Sequence, residues 1–213
     1  GRVYGQAART YAFYEAVLTA CDAAILFSKR HAEACRKKAE TAPPERRAEL
    51  LEMADSLDWI MENPARTYWE GLQAMLFYEM LLCADAQQHG QSMGRVDQYA
   101  GHLLEKQLKE GTITVERAQE LTDAFMLRIN DLLRMMPRMT NAQLIELNKE
   151  GRYLVGSLSD AITSSGGIAI TVGGVKRDGS DATNSATYMF IQSLLRLGIA
   201  DPTTALRIHD NTP

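Results

Sequence analysis

Positive charge, cysteine and uninterrupted apolar sequence are all scarce in this chain, and each scarcity removes a class of function. Its 23 basic residues are outnumbered by 27 acidic ones, for a formal net charge of −4. A mildly acidic chain without a basic patch is a poor nucleic-acid binder. The three cysteines, Cys21, Cys35 and Cys83, are odd in number and lack C-x-x-C spacing. No disulfide framework and no zinc or other metal site is therefore expected, and a reduced, cytoplasmic setting fits. The most apolar run, Ala74–Ala84, is broken by Glu79 and is about half the ~20 residues of a membrane span. The N-terminus has no signal-peptide core. Dinucleotide-binding, Walker A and Ser-His-Asp signatures are missing. The ten methionines read as core filler.

What is present is mostly helix. Apolar residues recur at Ala8, Tyr11, Leu18, Cys21, Ile25 and Ala32, and no Gly or Pro interrupts residues 6–40, which predicts one long helix. Thr41-Ala42-Pro43-Pro44 ends it and starts a second, which is expected to stop at Asn63-Pro64. Thr67-Tyr68-Trp69-Glu70 is a capping box that opens a strongly apolar helix to about Ala86. Gln87 to Arg95 reads as a polar loop. Val96–Glu110 reads as a helix closed by Gly111, Thr114 caps another that stops before Pro137, and Asn141–Lys149 is a weaker one.

Beyond about residue 150 the character changes. After Ser164-Ser165-Gly166-Gly167, the run Ile168–Val172 reads as a strand buried on both faces. Gly173-Gly174 and Asp178-Gly179 mark turns, a helix is expected over 183–197, and a second strand over 205–209. A helix of 35 residues would span ~52 Å, whereas a compact chain of this length has a radius of gyration of only ~17 Å. That helix and a doubly buried strand with one recognisable companion suggest part of a larger body. Exposed apolar surface is expected around residues 168–174 and 204–209.

The runs Asn63-Pro64-Ala65-Arg66-Thr67-Tyr68-Trp69-Glu70-Gly71-Leu72-Gln73, Gly94-Arg95-Val96-Asp97-Gln98-Tyr99 and Gly111 to Leu121 together resemble the glycyl radical enzymes, the pyruvate formate-lyase superfamily. So do Thr171-Val172-Gly173-Gly174, the stretch from Asp178 to Asn184, and Arg207-Ile208-His209-Asp210-Asn211-Thr212-Pro213. The resemblance covers essentially the whole chain, in the family's order, and is nearest the glycerol- and diol-dehydratase-like branch. It implies an α/β parent fold, a ten-stranded barrel wrapped in helices. This chain would be an internal piece of one such domain, residues 1–150 helical and 151–213 mixed, with strands near 168–174 and 204–209. A catalytic cysteine in a Gly-Cys-x-Glu type motif and a glycyl radical in an Arg-Val-x-Gly-Tyr type motif complete the family's site. Neither motif occurs here, so none of the three cysteines is assigned that role and no turnover is expected from this chain alone. The radical would belong to the absent C-terminal region and be installed by an S-adenosylmethionine radical activase. A small-molecule substrate, that activase and a second copy are the implied partners, with neither nucleic acid nor membrane.

The resemblance also implies roles. His89 matches a histidine that contacts the departing hydroxyl in the diol-dehydratase-like members. An imidazolium can protonate a poor leaving group near neutral pH. Asp85, one helical turn earlier, would orient it. Gly90 departs from the pattern, since those dehydratases carry serine there. Arg95 and Asp97 point different ways on a helix and are assigned a structural network at its start. Gly173 and Gly174 permit either close backbone approach or a tight turn. Gln73 and Glu79 are read as the solvent side of their apolar helix, with buried polar groups near the barrel as the alternative, Asp181 and Asn184 as caps, and His209 as packing. The implied reaction is lysis or dehydration at a C–O or C–X bond. Arylacetate decarboxylation, formate acyl transfer and a non-catalytic helical scaffold are the alternatives.

Overall fold

The computed structural model describes residues 2–86, 91–132, 168–199 and 201–213. The expected helix end before Pro137, the helix over 141–149 and the residues leading into the first strand lie outside them. The chain divides into two compact units, Gly1–Arg66 and Thr67–Pro213.

The first unit is a helical hairpin of α1 (Arg2–Ala39) and α2 (Pro44–Trp59). Only the C-terminal half of α1 is covered. Ala32 and Ala54 are both buried where the helices meet, and Ser28 Oγ donates 2.5 Å to the Leu57 carbonyl. Lys29 pairs with Glu62 at 2.8 Å, and Arg36 with Asp58. Tyr11, Phe13, Tyr14 and Leu18, on the other half, are exposed. By length and composition alone one helix, Gly5–Ala39, is apolar enough to cross a membrane. Glu15 and Asp22 lie inside that helix, where lipid would make them costly.

α2 ends earlier than its sequence suggests. Ile60 turns extended to become buried, Met61 takes a left-handed φ of 69°, and Trp59 Nε1 donates 2.8 Å to the Pro64 carbonyl. Burial of Ile60 and this local turn stop the helix before the proline can.

The second unit holds α3 (Tyr68–Ala86), β1 (Ser92–Arg95), α4 (Val96–Glu110), α5 (Val115–Leu132), β2 (Ala169–Gly173), α6 (Ser185–Leu197) and β3 (Thr203–Arg207). Thr67 Oγ1 accepts the Glu70 amide at 3.1 Å and Thr114 Oγ1 accepts the Arg117 amide at 3.1 Å, so both caps form where expected. α4 has the predicted bounds and stops at Gly111. The strands make one parallel sheet in the order β1-β2-β3. Its helical cover includes α4 and α6, whose apolar faces bury Ile170, Val172 and Phe190 with Phe125 and Met126 of α5.

Two strand expectations change. β1 lies inside the stretch expected to be loop. Ser-Met-Gly-Arg has no strand pattern of its own, and pairing with β2 makes it a strand. β2 alternates: Ile170 and Val172 are fully buried while Ala169 and Thr171 are half-buried. The expected apolar exposure is therefore missing at 168–174. It is present beside β3, where Leu206 and Ile208 are 45% and 74% exposed.

α4 and α6 touch at Gly101. A Cβ there would lie 2.7 Å from Asn184 Oδ1, the atom that caps α6 by accepting the Ala186 and Thr187 amides. Gly101→Ala should cost about 1–3 kcal/mol by displacing that cap. A lower urea midpoint at unchanged slope is the expected reading.

Candidate functional site

The three strands run parallel, so Arg95, Gly173 and Arg207 end them at one edge of the sheet. Four of the sequence-derived candidates meet there. Arg95 donates through Nη2 to the Gly173 carbonyl at 2.7 Å and through Nη1 to the Val175 carbonyl at 2.9 Å. Asp97, in the first turn of α4, is fully buried and accepts the Gly173 amide on Oδ2 at 2.8 Å. The same oxygen accepts the Thr187 hydroxyl at 2.6 Å. Arg95 and Asp97 thus diverge, as their spacing requires, and grip one residue, Gly173, by its carbonyl and its amide without pairing with each other.

Gly173 and Gly174 use both properties that glycine offers. Their φ values are 73° and 88°, a region that side chains resist. A Cβ on Gly173 would also meet the Arg207 carbonyl at 3.1 Å, and one on Gly174 the Arg207 Cβ at 3.2 Å. Turn and close approach occur together.

The α6 cap joins this network. Thr187 Oγ1 accepts the Asn184 amide at 3.1 Å and donates its own hydrogen bond to Asp97, while Asn184 Nδ2 donates 3.2 Å to the Asp97 carbonyl. The Asn-x-x-Thr spacing at 184–187 was the visible signal for Thr187. Asp181, expected as a cap, turns elsewhere. It accepts the Thr183 amide and hydroxyl at 3.1 and 3.0 Å and holds His209 Nε2 at 2.9 Å. The Asn211 amide points at His209 Nδ1 from 3.3 Å. The imidazole therefore keeps its proton on Nε2 and donates it to Asp181. Desolvation of Asp181 works against its ionisation, but the His209 and Thr183 hydrogen bonds outweigh it and hold the carboxyl below its ordinary value. His209 is thus a hydrogen-bonding strut between the segments after β2 and β3, beyond the packing expected of it.

His89 lies outside the described residues, and so does the side chain of Asp85 in the last turn of α3. Glu79 corrects its expectation. It is 1% exposed rather than on the solvent side, and burial pushes its carboxyl up, with the Cys83 thiol 3.9 Å away opposing weakly. Burial, then Glu79, raises Cys83 too. An acid whose pKa is raised by folding binds its proton more tightly in the native state. Stability is therefore lost as pH rises from the ordinary carboxylate range through the raised value. Glu79→Gln should flatten that slope in urea midpoints taken from about pH 4 to about pH 8; an unchanged slope would refute the assignment.

At the opposite edge of the sheet Asp201 is 5% exposed, pushed up by burial, and its Oδ1 has no partner. Among the described residues no group of His, Cys, Asp and Glu could hold a metal ion. At the edge containing Arg95 and Asp97 the two side chains hold backbone, while Arg95 Nε and Asp97 Oδ1 are buried without a partner.

Comparison with known proteins covers nearly the entire sequence. A family model described as pyruvate formate lyase-like matches residues 4–213. An isethionate sulfite-lyase of Bilophila wadsworthia (strain 3_1_6) is 33% identical over 204 residues, 94% of this chain and 22% of that protein. A (2S)-3-sulfopropanediol dehydratase of Klebsiella oxytoca is 30% identical over 202 residues, again 94% of this chain and 22% of that protein. A solved structure concerned with 1,2-propanediol dehydration in Roseburia inulinivorans superposes with a TM-score of 0.74 at 32% identity, over 92% of this chain and 23% of that one. The chain thus spans less than a quarter of the length of these relatives.

Proposed function

Because the chain belongs to the pyruvate formate lyase-like family of glycyl radical enzymes, we propose that it is a section of a radical lyase or dehydratase that breaks a C–O or C–X bond of a small molecule. The observation that carries this is the match of 94% of the chain to one protein named a lyase and another named a dehydratase. The section contributes helices and three strands to the wall of one pyruvate formate-lyase-like domain. That wall keeps water from a reactive intermediate. The glycyl radical, installed by a radical S-adenosylmethionine activase, supplies hydrogen-atom abstraction when present. The residues of this chain bind, orient and exclude water.

Within that reading His89 protonates the departing group and Asp85 orients and charges it. Gly90 removes the hydroxyl contact that a serine gives a diol, which favours a substrate held by something other than that contact. The Arg95–Asp97–Gly173 grip fixes the end of β2 so that the wall keeps its shape. The setting is cytoplasmic, and the chain without its cysteine and glycine partners has no turnover.

The test uses the full-length parent, activated without oxygen and offered small diols, hydroxysulfonates and hydroxy acids. A glycyl radical signal in electron paramagnetic resonance, together with elimination from at least one class, is expected. A radical that decarboxylates arylacetates or transfers acyl groups, and eliminates nothing, would overturn the lyase assignment.

A further inference from the structure

The loop between β2 and α6 carries an aspartate followed by a glycine. Val175 and Asp181 face each other in an antiparallel bridge, and Lys176 N donates 2.8 Å to the Ser180 carbonyl. Asp178-Gly179 sits at the tip. Nothing lies within 4 Å of where a Gly179 Cβ would be, and Asp178 is exposed. An aspartate followed by glycine lacks the side chain that normally shields the next amide nitrogen from the carboxyl carbon.

From this geometry we infer that Asp178-Gly179 is a site of spontaneous backbone isomerisation, held in check by Ser180 and by the turn that engages the Gly179 amide. In the reaction the Gly179 nitrogen attacks Asp178 Cγ. The amide proton and one carboxyl oxygen, with a second proton from solvent, leave as water, and a five-membered imide forms. Water then re-enters at the main-chain carbonyl carbon, so the chain continues through Cγ and an isoaspartate results. One water leaves and one returns, and no oxidant or cofactor takes part.

Two contacts oppose the first step. The Gly179 N–H donates 3.0 Å to the Lys176 carbonyl, which ties up the attacking nitrogen. Asp178 Oδ1 accepts the Ser180 amide at 3.0 Å and the Ser180 hydroxyl at 2.7 Å. Those bonds favour the ionised carboxylate, whose oxygen is a poor leaving group, and the carboxyl is held below its ordinary range. Isomerisation would insert a methylene into the main chain between Val175 and Asp181. The bridge and the Asp181–His209 pair could not both survive that extra length.

The experiment incubates the purified chain at physiological pH, native and in urea, and quantifies isoaspartate at residue 178 by enzymatic methyl labelling and peptide fragmentation. Isoaspartate should form in both states, more slowly in the native one. Ser180→Ala should speed the native reaction by about fivefold, the worth of one hydrogen bond, and leave the urea rate unchanged. Equal native and urea rates, a Ser180→Ala chain that matches the parent when native, or no product even in urea would each overturn the proposal. The urea arm keeps the result decisive should the variant fold poorly.

Discussion

Asp97→Ala should lower the unfolding free energy by about 3–5 kcal/mol, among the largest losses open to a single side chain here. The carboxylate is fully buried and one oxygen takes two donors, the Gly173 amide and the Thr187 hydroxyl. Removal strands both donors away from water, and each stranded group costs about 1–3 kcal/mol. It also frees the Gly173 peptide, which Arg95 then holds by its carbonyl alone. One effect works the other way. Asp97 Oδ1 has no partner, so the native state already carries a desolvation cost that alanine relieves. The stranded donors outnumber that relief, and the net sign is a loss. Thr187→Val would remove one stranded donor but would also take the acceptor from the Asn184 amide, so the single Asp97→Ala variant is the cleaner test. Urea unfolding at constant slope reads it. A loss under about 1 kcal/mol would show that the network does not hold the strand end.

That network shows which features a sequence carries openly. The bounds of α4 were legible because a helical stripe, a start and a glycine stop all lie within its own residues. Divergence of Arg95 and Asp97 was legible for the same local reason. Their shared target was not, since Gly173 lies 78 and 76 residues further along the chain and no local pattern points there. β1 failed for a related reason: its partner β2 makes it a strand. Glu79 was misplaced because α3 is apolar on most faces, which leaves no polar side to mark outward. A carboxylate on such a helix follows its neighbours inward, where burial pushes its pKa up. Asp181 competed with Asn184 for the capping role, and only the position of His209 at the end of β3 decided between them.

His89→Gln in the full-length, activated parent should slow elimination by about 10²–10⁴-fold, the usual worth of a positioned general acid. Glutamine keeps a hydrogen-bond donor of similar reach but has no titratable proton. Binding should therefore change little while the chemical step suffers, so kcat falls with KM nearly constant. The glycyl radical should form to the same extent, because no residue that carries the spin is altered. Electron paramagnetic resonance separates that outcome from a damaged fold. The pH profile gives an independent reading: loss of the imidazolium should erase a limb that falls as pH rises through the histidine range, near 6.5 in an unperturbed ring. Asp85→Asn should move that limb to lower pH without erasing it, because in the proposed role its carboxylate favours the charged ring. Normal elimination by His89→Gln with full radical content would remove His89 from the acid role and leave the departing group to be protonated from outside this section of the wall.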